Sequence, residues 1–304
     1  VLRSVDFYND WFLNFAPQAY REARNRAIDK VDSALIQTAN FCRITDEILR
    51  ENPEVLSILR MATAPPIARD RLVGLAGVSK NLVIRMEEGK LPCRVSEVTL
   101  SNDLKKIATM IDRLLDVDIF TWTQDKSNPS IIDRRRAASI VADRVCGAVA
   151  DPIIRNEQEK RQLTTISAYL NERGYEYIAA KDVDDFRNIP VGRFSCHFNV
   201  DAMMSSDRSV NIPIDVVIMR KSAKQGDFPL LIECKSAGDF TNTNKRRKEE
   251  AAKIRQLKNT YGNTFDFILF LCGYFDSGYL GYEAAEGIDW IWEHRIDDFS
   301  ALGI

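Results

Sequence analysis

The amino-acid sequence predicts an α/β fold preceded by a mostly α-helical N-terminal part. Up to about residue 120, helix-forming residues dominate and the apolar–polar alternation of strands is scarce. From about residue 150 onward, short apolar runs rich in β-branched residues alternate with helical segments, an order typical of α/β domains. A chain of 304 residues with 45% hydrophobic side chains can bury a sizeable core, which excludes an intrinsically disordered protein.

Helix-breaking and helix-capping residues divide the N-terminal part. Asn52-Pro53-Glu54 predicts a helix start with proline at the first helical position. Ala64-Pro65-Pro66 breaks the chain before the next helix, and Ser101-Asn102-Asp103 predicts the start of a further amphipathic helix.

A polar segment is the predicted boundary between two domains. Residues 124–130 combine charged, amide and hydroxyl side chains with a proline, which is typical of a linker. At roughly 150 residues per domain, the chain length favours two domains. We therefore expect a helical domain over 1–125 and an α/β domain over 126–304.

The second domain is predicted to open with a helix from about residue 153 to Arg173, where Gly174 suits a left-handed C-terminal position. The predicted strands are apolar runs over 175–179, 194–200, 212–219, 230–235 and 265–272. A highly charged helix over about 245–259 separates the last two strands.

Composition limits the functional classes. The six cysteines form no CxxC pair, which argues against zinc and favours a reducing compartment, so we expect a cytoplasmic protein. No run approaches the ~20 apolar residues of a membrane span. The two histidines, His197 and His294, have no partner pattern and receive no role. The net charge of −2, taken alone, argues against a nucleic-acid partner.

Two carboxylates and a lysine form the clearest chemical pattern. Asp215 interrupts an apolar strand, and Glu233 and Lys235 end the next one. Residues two apart in a strand project to the same side, so Glu233 and Lys235 point together. The polar segment 220–227 contains a glycine, so the two strands can form a hairpin that brings Asp215 beside this pair.

This combination suits a magnesium-dependent phosphodiester reaction. Two close carboxylates repel each other, and Mg²⁺, which prefers oxygen ligands and retains waters, relieves that repulsion. The cation can acidify a water, while a neighbouring lysine holds the water or neutralises the phosphate. The alternative is that these are solvated strand ends, because a loose D…ExK match also occurs by chance.

A further carboxylate lies in the helix that precedes the strands. Helical periodicity places Glu159 on the same face as Leu163, Ile166 and Leu170, and Glu157 away from it. A carboxylate on an inward face needs a partner, which a metal or a lysine would provide. The alternative is an ion-paired glutamate near the start of a helix.

Asp215 with Glu233-Cys234-Lys235 resembles the PD-(D/E)xK motif of the restriction-endonuclease-like nucleases, although Pro213 stands two residues before the aspartate instead of adjacent to it. The chain more closely resembles XamI-type type II restriction endonucleases, through residues 63–79, 155–159 and 232–250. The resemblance covers most of the chain. It implies an αβββαβ core, a mixed sheet flanked by helices, behind the N-terminal helical domain.

The resemblance also implies an activity and a site. It implies Mg²⁺-dependent cleavage of double-stranded DNA at a short palindromic sequence, leaving 5′-phosphate ends. Asp215, Glu233 and the backbone carbonyl of Cys234 would bind the metal, Lys235 would be the catalytic lysine, and Glu159 an additional acidic residue. A palindromic target implies a homodimer, and a restriction enzyme implies a cognate DNA methyltransferase in the same system.

A second DNA-binding pattern lies in the helical domain. Residues 72–90 resemble a helix-turn-helix, with Gly77-Val78-Ser79 as the turn and Ser79 capping the second helix. Val83 and Met86 would pack inward. The residues predicted to face the major groove are Ser79, Lys80, Asn81 and Arg85. The alternative is an ordinary corner between two helices.

The segment after Lys235 combines amides, hydroxyls and clustered cations. Asparagine can bind adenine and arginine can bind guanine, while lysine and threonine suit phosphates. The predicted DNA contacts in this segment are Ser236, Thr241, Asn242, Asn244, Lys245, Arg246 and Arg247. The following helix is expected to pack through Ala251, Ile254 and Leu257. The alternative for its exposed surface is a solvated helix with internal ion pairs.

Three functions therefore compete. The leading prediction is a type II restriction endonuclease. The others are a repair or defence nuclease of the same fold without strict specificity, and a helix-turn-helix regulator with an inactive nuclease-like domain. Basic residues outnumber acidic ones over 208–258, whereas acidic residues dominate over 276–298, so the near-neutral total conceals a basic region beside the predicted site.

Overall fold

The computed structural model describes residues 1–205, 208–240, 243–262 and 264–304, with the side chains of 149–151, 204, 205, 208 and 243–249 left out. The described chain forms two compact units. The first, called the sheet unit here, comprises Val1–Ala16 and Ile153–Ile304. The second, the helical unit, comprises Pro17–Pro152.

Ten α-helices and six β-strands lie in the described ranges. The helices are α1 (Leu2–Gln37), α2 (Asp46–Glu51), α3 (Val55–Met61), α4 (Arg69–Ala76), α5 (Lys80–Glu87), α6 (Glu97–Leu114), α7 (Trp122–Asp125), α8 (Ile131–Glu172), α9 (Thr243–Tyr261) and α10 (Ser277–Ala285). The strands are β1 (Glu176–Tyr177), β2 (Arg193–Ser205), β3 (Arg208–Ile218), β4 (Leu230–Ala237), β5 (Phe267–Gly273) and β6 (Asp289–Trp292). None of these helices combines the length and apolar character that crossing a bilayer requires.

The helical unit is built as the sequence predicts, apart from its helix boundaries. Helix α6 begins at Glu97, where Ser96 accepts a hydrogen bond from the N–H of Thr99. The start predicted at Ser101 is therefore wrong, because the earlier serine satisfies the free amides of the first turn.

Helix α8 begins 22 residues before its predicted start, at Ile131 instead of residue 153. Asp151-Pro152 resembles a helix start, yet Pro152 lies inside the helix. Within the predicted linker 124–130, residues 127–130 are not helical, whereas Gln124 and Asp125 belong to α7. The two compact units divide at Ala16 and Pro152, whereas the expected division into domains 1–125 and 126–304 stays a prediction.

The sheet unit contains one mixed sheet with the strand order β1-β2-β3-β4-β5-β6. Strands β2, β3 and β4 are antiparallel neighbours, and the pairs β1–β2, β4–β5 and β5–β6 are parallel. The predicted αβββαβ order is confirmed by α8, β2, β3, β4, α9 and β5. Helix α10 and strand β6 follow it and were not predicted, because a four-residue strand shows too little alternation.

Each face of the sheet packs against a helix. On one face, Leu163, Ile166 and Leu170 of α8 pack against apolar residues of β2 to β5. On the other face, Ile254 and Leu257 of α9 are buried as predicted. The sheet is therefore covered on both sides, and polar side chains within it need specific partners.

Along β2 and β3, side chains alternate between the two faces of the sheet, and this alternation shifts by one residue at one position. His197 and Asp215 lie between the pairs Cys196↔Val216 and Phe198↔Ile214. Val216 packs on the α8 face, whereas Phe198 and Ile214 both pack on the α9 face. His197 has a φ of 53°, in the left-handed region that few non-glycine residues adopt. Asp215 therefore lies between Ile214, which faces α9, and Val216, which faces α8.

Candidate active site

Asp215 lies where β3 separates from β4. The pairing of these strands ends at Val216↔Ile232, so Asp215 and Glu233 are the next residues on each strand. Oδ2 of Asp215 accepts a hydrogen bond from the backbone N–H of Cys234 at 2.7 Å. The carboxylate of Asp215 thus accepts a hydrogen bond that a backbone carbonyl of β3 would accept if the two strands continued to pair. This register confirms the predicted hairpin and brings Asp215 beside Glu233.

Glu233 is buried between two lysines. Its Oε1 accepts hydrogen bonds from Nζ of Lys235 at 2.8 Å and from Nζ of Lys253 at 2.7 Å. Lys253, on α9, also donates to the carbonyl of Pro213 in β3 at 2.8 Å. One carboxylate oxygen is therefore shared by two cations, one from its own strand and one from the helix that covers it.

The electrostatics of the carboxylates differ. Burial, followed by the neighbouring charge of Glu233, raises the pKa of Asp215 to about 6. Burial also raises the pKa of Glu233, but Lys235 and Lys253 outweigh it, so this pKa lies below its ordinary value. Burial lowers the pKa of Lys235, yet Glu233 and Glu250 raise it further, so this pKa lies above its ordinary range. Lys235 is thus a permanent cation at neutral pH.

Glu250 of α9 lies beside Lys235, on the helix that covers Glu233 and its two lysines. Its Oε1 lies 3.7 Å from Nζ of Lys235, and its Oε2 accepts a hydrogen bond from the hydroxyl of Tyr279. Both Glu250 and Tyr279 are buried. The position of Lys235 is therefore set from two sides, by Glu233 on its strand and by Glu250 on the helix.

Glu159 and His197 approach Asp215 from the α8 side. Glu159, His197 and Asp215 each offer a ligand atom, and these atoms lie within 4.8 Å of one another. Nδ1 of His197 is 3.6 Å from Oε1 of Glu159. The side chain of Glu159 is 41% exposed, although Leu163, Ile166 and Leu170, which the sequence predicts on the same face, are buried.

The donors around Asp215 fit a divalent cation. Oε2 of Glu233 is buried and has no hydrogen-bond partner among the described residues, a costly state that a cation would relieve. The N–H and C=O of one strand residue point to the same side, so the carbonyl of Cys234 faces the side of Asp215. Two carboxylates and a carbonyl are hard oxygen ligands of the kind that Mg²⁺ prefers.

The sequence predicted Asp215, Glu233, Lys235 and Glu159 but not three of their neighbours. Lys253 and Glu250 lie on a charged helix and resemble solvated surface residues in the sequence. Their position on the buried turn with Ala251 and Ile254 was the available signal. His197 follows from the register, because it stands opposite Asp215 once β2 and β3 are aligned.

The predicted helix-turn-helix is formed by α4 and α5. Gly77 adopts a φ of 61° between them, and Ser79 caps α5 by accepting from the N–H of Leu82. Val83 and Met86 are fully buried, as predicted. The four predicted DNA-contact residues of this segment, Ser79, Lys80, Asn81 and Arg85, are all exposed. Lys80 forms an ion pair with Asp70 at 3.0 Å.

The other predicted DNA contacts follow β4. Ser236 is half-buried, and its hydroxyl donates to Oε1 of Gln162 on α8 at 3.2 Å. Thr241 and Asn242 lie outside the described residues. Asn244, Lys245, Arg246 and Arg247 belong to the first two turns of α9, but their side chains also lie outside the described part. The contacts of these residues with DNA stay predictions.

Comparison with known proteins identifies relatives over the whole chain. The profile of a family described as XamI restriction endonuclease matches residues 39–292. The type II restriction enzyme SalI of Streptomyces albus G is 52% identical over 305 residues, which cover 100% of this chain and 96% of that enzyme. Protein VC1899 from Vibrio cholerae, a crystal structure, aligns over 90% of this chain and 55% of its own at 14% identity, with a TM-score of 0.28 that establishes no common fold.

Proposed function

The chain belongs to the XamI restriction endonuclease family and is a type II site-specific deoxyribonuclease, and we propose that Asp215, Glu233 and Lys235 form its catalytic site. The observation that supports this assignment is the convergence of these three side chains where β3 and β4 separate. Two neighbouring carboxylates can hold a divalent cation and a fixed lysine can neutralise charge on the phosphate, a combination that suits phosphodiester hydrolysis.

Asp215, Glu233 and the carbonyl of Cys234 would hold Mg²⁺. When bound, the cation acidifies a water molecule and neutralises charge on the phosphate. Until then, the repulsion between the two carboxylates is offset by Lys235 and Lys253, which share one oxygen of Glu233. The two lysines thus stabilise the carboxylates when no metal is bound.

Lys235 acts as a charged donor in this proposal. Glu233 and Glu250 raise the pKa of Lys235 and so favour its charged form, which suits a donor better than a base that removes a proton from water. Its Nζ, fixed by Glu233 and Glu250, instead donates to the attacking water or to a phosphate oxygen, where negative charge develops. Hydrolysis leaves 5′-phosphate ends.

The exposed end of α5 and the segment after β4 are the proposed DNA contacts. Ser79, Lys80, Asn81 and Arg85 lie on the exposed side of a capped helix, as in helix-turn-helix proteins. A palindromic target would be bound by a homodimer with one site for each strand. A partner methyltransferase would protect the host's own copies of that target.

Plasmid cleavage tests the site. With Mg²⁺, the parent enzyme should produce discrete bands, and EDTA should abolish them. Glu233→Ala and Lys235→Ala should each lower the cleavage rate by about a hundredfold or more, the usual effect of losing a group that acts in the transition state.

Matched controls separate a loss of chemistry from a loss of fold. Glu172→Ala and Lys224→Ala remove the same charges from exposed positions of the sheet unit and should leave cleavage unchanged. Folded Glu233 and Lys235 variants that cut at the parent's rate would contradict the assignment. A smear in place of bands would indicate a nuclease without strict specificity.

A further inference from the structure

Lys235 has two carboxylate neighbours that differ in their relation to the proposed metal site. Oε1 of Glu233 lies 2.8 Å from Nζ of Lys235, but Glu233 is a proposed metal ligand, and the same oxygen also accepts a hydrogen bond from Lys253. Oε1 of Glu250 lies 3.7 Å from the same Nζ, comes from α9, and is not among the proposed metal ligands. One carboxylate is therefore shared with other cations, and the second stands outside the metal site.

The two carboxylates would respond differently to a bound cation. When Asp215 and Glu233 hold a divalent ion, part of the negative charge of Glu233 is offset by that ion, and its attraction for Lys235 weakens. Glu250 keeps its charge for the lysine. The position of Lys235 during the reaction therefore depends more on Glu250 than the metal-free distances indicate.

Tyr279 of α10 fixes the orientation of Glu250. Its hydroxyl donates a hydrogen bond to Oε2 of Glu250, which leaves Oε1 directed at Lys235. The ring of Tyr279 packs against Phe275 with the centroids 4.9 Å apart, and its backbone N–H donates to Oδ1 of Asp276, which caps α10. Tyr279 and Glu250 are each only 2% exposed. Because ring and backbone are both held, the hydroxyl orients the carboxylate from a fixed position.

We propose that Glu250 and Tyr279 are positioning residues that hold the ammonium group of Lys235 in place for the phosphodiester reaction. Packing alone does not require them, because a buried carboxylate loses its hydration, and apolar residues of similar volume often stabilise a fold equally well. The contacts run from α10 through α9 to β4, so three elements fix one nitrogen atom. This role rests on the proposed function of Lys235.

Separate measurements of cleavage rate and DNA affinity test this role. Glu250→Gln removes the charge and keeps the shape, and it should lower the single-turnover cleavage rate with Mg²⁺ by about tenfold to a hundredfold, the cost of a small displacement of a reacting group. Tyr279→Phe removes one hydroxyl and should lower the rate by about three- to tenfold. DNA affinity measured with Ca²⁺ should change by less than about twofold, because the loss concerns the transition state and not binding.

Tyr261→Phe provides the matched control. The hydroxyl of Tyr261, on α9, donates a hydrogen bond to the backbone carbonyl of Asp201 in β2, a contact that does not involve Lys235. Removing this hydroxyl should leave the cleavage rate unchanged. Equal losses of rate in Tyr261→Phe and Tyr279→Phe would assign the effect to general destabilisation and would overturn the proposed role.

Double variants test whether Tyr279 acts through Glu250. If it does, adding Tyr279→Phe to Glu250→Gln should lower the rate by less than about a further twofold, whereas fully multiplied losses would contradict it. Urea unfolding with EDTA gives a readout that is independent of cleavage. Glu250→Gln should lower the unfolding midpoint less in a Lys235→Met background than in the parent, because the substitution then removes no attraction to Lys235.

The outcomes distinguish this role from the proposed catalytic site. Equal midpoint losses in the two backgrounds would show that Glu250 does not hold Lys235 and would overturn the role. Glu250→Gln and Tyr279→Phe variants that cut at the parent's rate, while Lys235→Ala does not cut, would refute the positioning role alone. An unimpaired Lys235→Ala variant would instead refute the proposed catalytic site.

Discussion

Asp215 is held where its own charge is unfavourable. Its pKa is raised to about 6, so the folded protein binds a proton there more tightly than the unfolded chain. The stabilising contribution of this group is therefore present below the ordinary aspartate pKa and is lost as the pH rises through about 6. Near neutral pH the ionised carboxylate is a cost that a bound cation would offset.

Asp215→Asn should consequently stabilise the metal-free protein while abolishing cleavage. The amide oxygen can still accept the N–H of Cys234, but the repulsion with Glu233 disappears. We expect the free energy of unfolding to rise by about 1–3 kcal/mol near neutral pH, from a shift worth about 1.4 kcal/mol per pKa unit. Urea unfolding with EDTA measures it.

The pH dependence separates this effect from simple repacking. The gain should shrink toward about pH 4, where the parent's carboxyl is protonated as well. Saturating Mg²⁺ should also reduce the difference in unfolding free energy between the variant and the parent, because it binds only the parent's ionised site. A gain that is the same at both pH values would mean that the charge of Asp215 is not its source.

Lys253 stabilises the site from α9. It lowers the pKa of Glu233, so the stability that this pair contributes is present above the ordinary glutamate pKa and is lost as the pH falls through the lowered value. Lys253→Met should lower the free energy of unfolding by about 1–3 kcal/mol at neutral pH, since a buried charged acceptor loses one donor. The loss should decrease on acidification.

Lys258 of the same helix provides the control for this prediction. It donates to the backbone carbonyl of Glu286, an acceptor that does not titrate. The stability loss of Lys258→Met should therefore not depend on pH between about 4 and 7. Equal pH profiles for the two variants would show that Lys253 acts through packing and not through Glu233.

At the scale of elements, α5 is capped by Ser79 and exposes the four residues of this segment that are predicted to contact DNA. If it contacts DNA phosphates, Arg85→Ala should weaken binding several-fold and reduce the slope of log affinity against log salt by about one. Binding measured with Ca²⁺ at several salt concentrations tests this. Arg113→Ala, an exposed arginine of α6, is the matched control. Identical salt slopes for parent and Arg85→Ala would exclude a phosphate contact.

The sequence predicts elements that a local residue pattern determines, and it misses contacts between residues that are distant in the sequence. The β3–β4 hairpin was predictable because apolar alternation and a glycine-containing loop determine it. The proximity of His197 to Asp215 was not, since it depends on the register of β2 and β3 and on a shift in the alternation of both strands. Lys253 was missed for a related reason, because its partner Glu233 lies on another element.

At the scale of the whole molecule, the sheet unit is assembled from both ends of the chain. Ser4 accepts a hydrogen bond from the N–H of Gly273, and the hydroxyl of Tyr8 accepts one from Gln158. Arg161 lies over the rings of Phe7 and Trp11. No local pattern in residues 1–16 indicates these distant partners, so sequence alone assigned them to the helical domain.

Deletion of residues 1–16 should therefore destabilise the sheet unit. The lost hydrogen bonds and cation–π contacts are each worth about 1 kcal/mol, so we expect a total loss of about 2–5 kcal/mol. Thermal unfolding and proteolysis within 153–304 measure it. Removing only the exposed Val1 and Leu2 is the control. If both deletions behave alike, the contacts of the first residues do not support the sheet.

The use of both chain ends has a consequence during protein synthesis. A ribosome adds about 5–20 residues per second, so residues 1–16 emerge roughly 15–60 s before the last strand of a 304-residue chain. A nascent chain that has not reached β5 lacks the partner strand of β4 and of β6. It also lacks Gly273, whose N–H donates a hydrogen bond to Ser4 of the first helix. The sheet unit is therefore complete only after β6 has been synthesised.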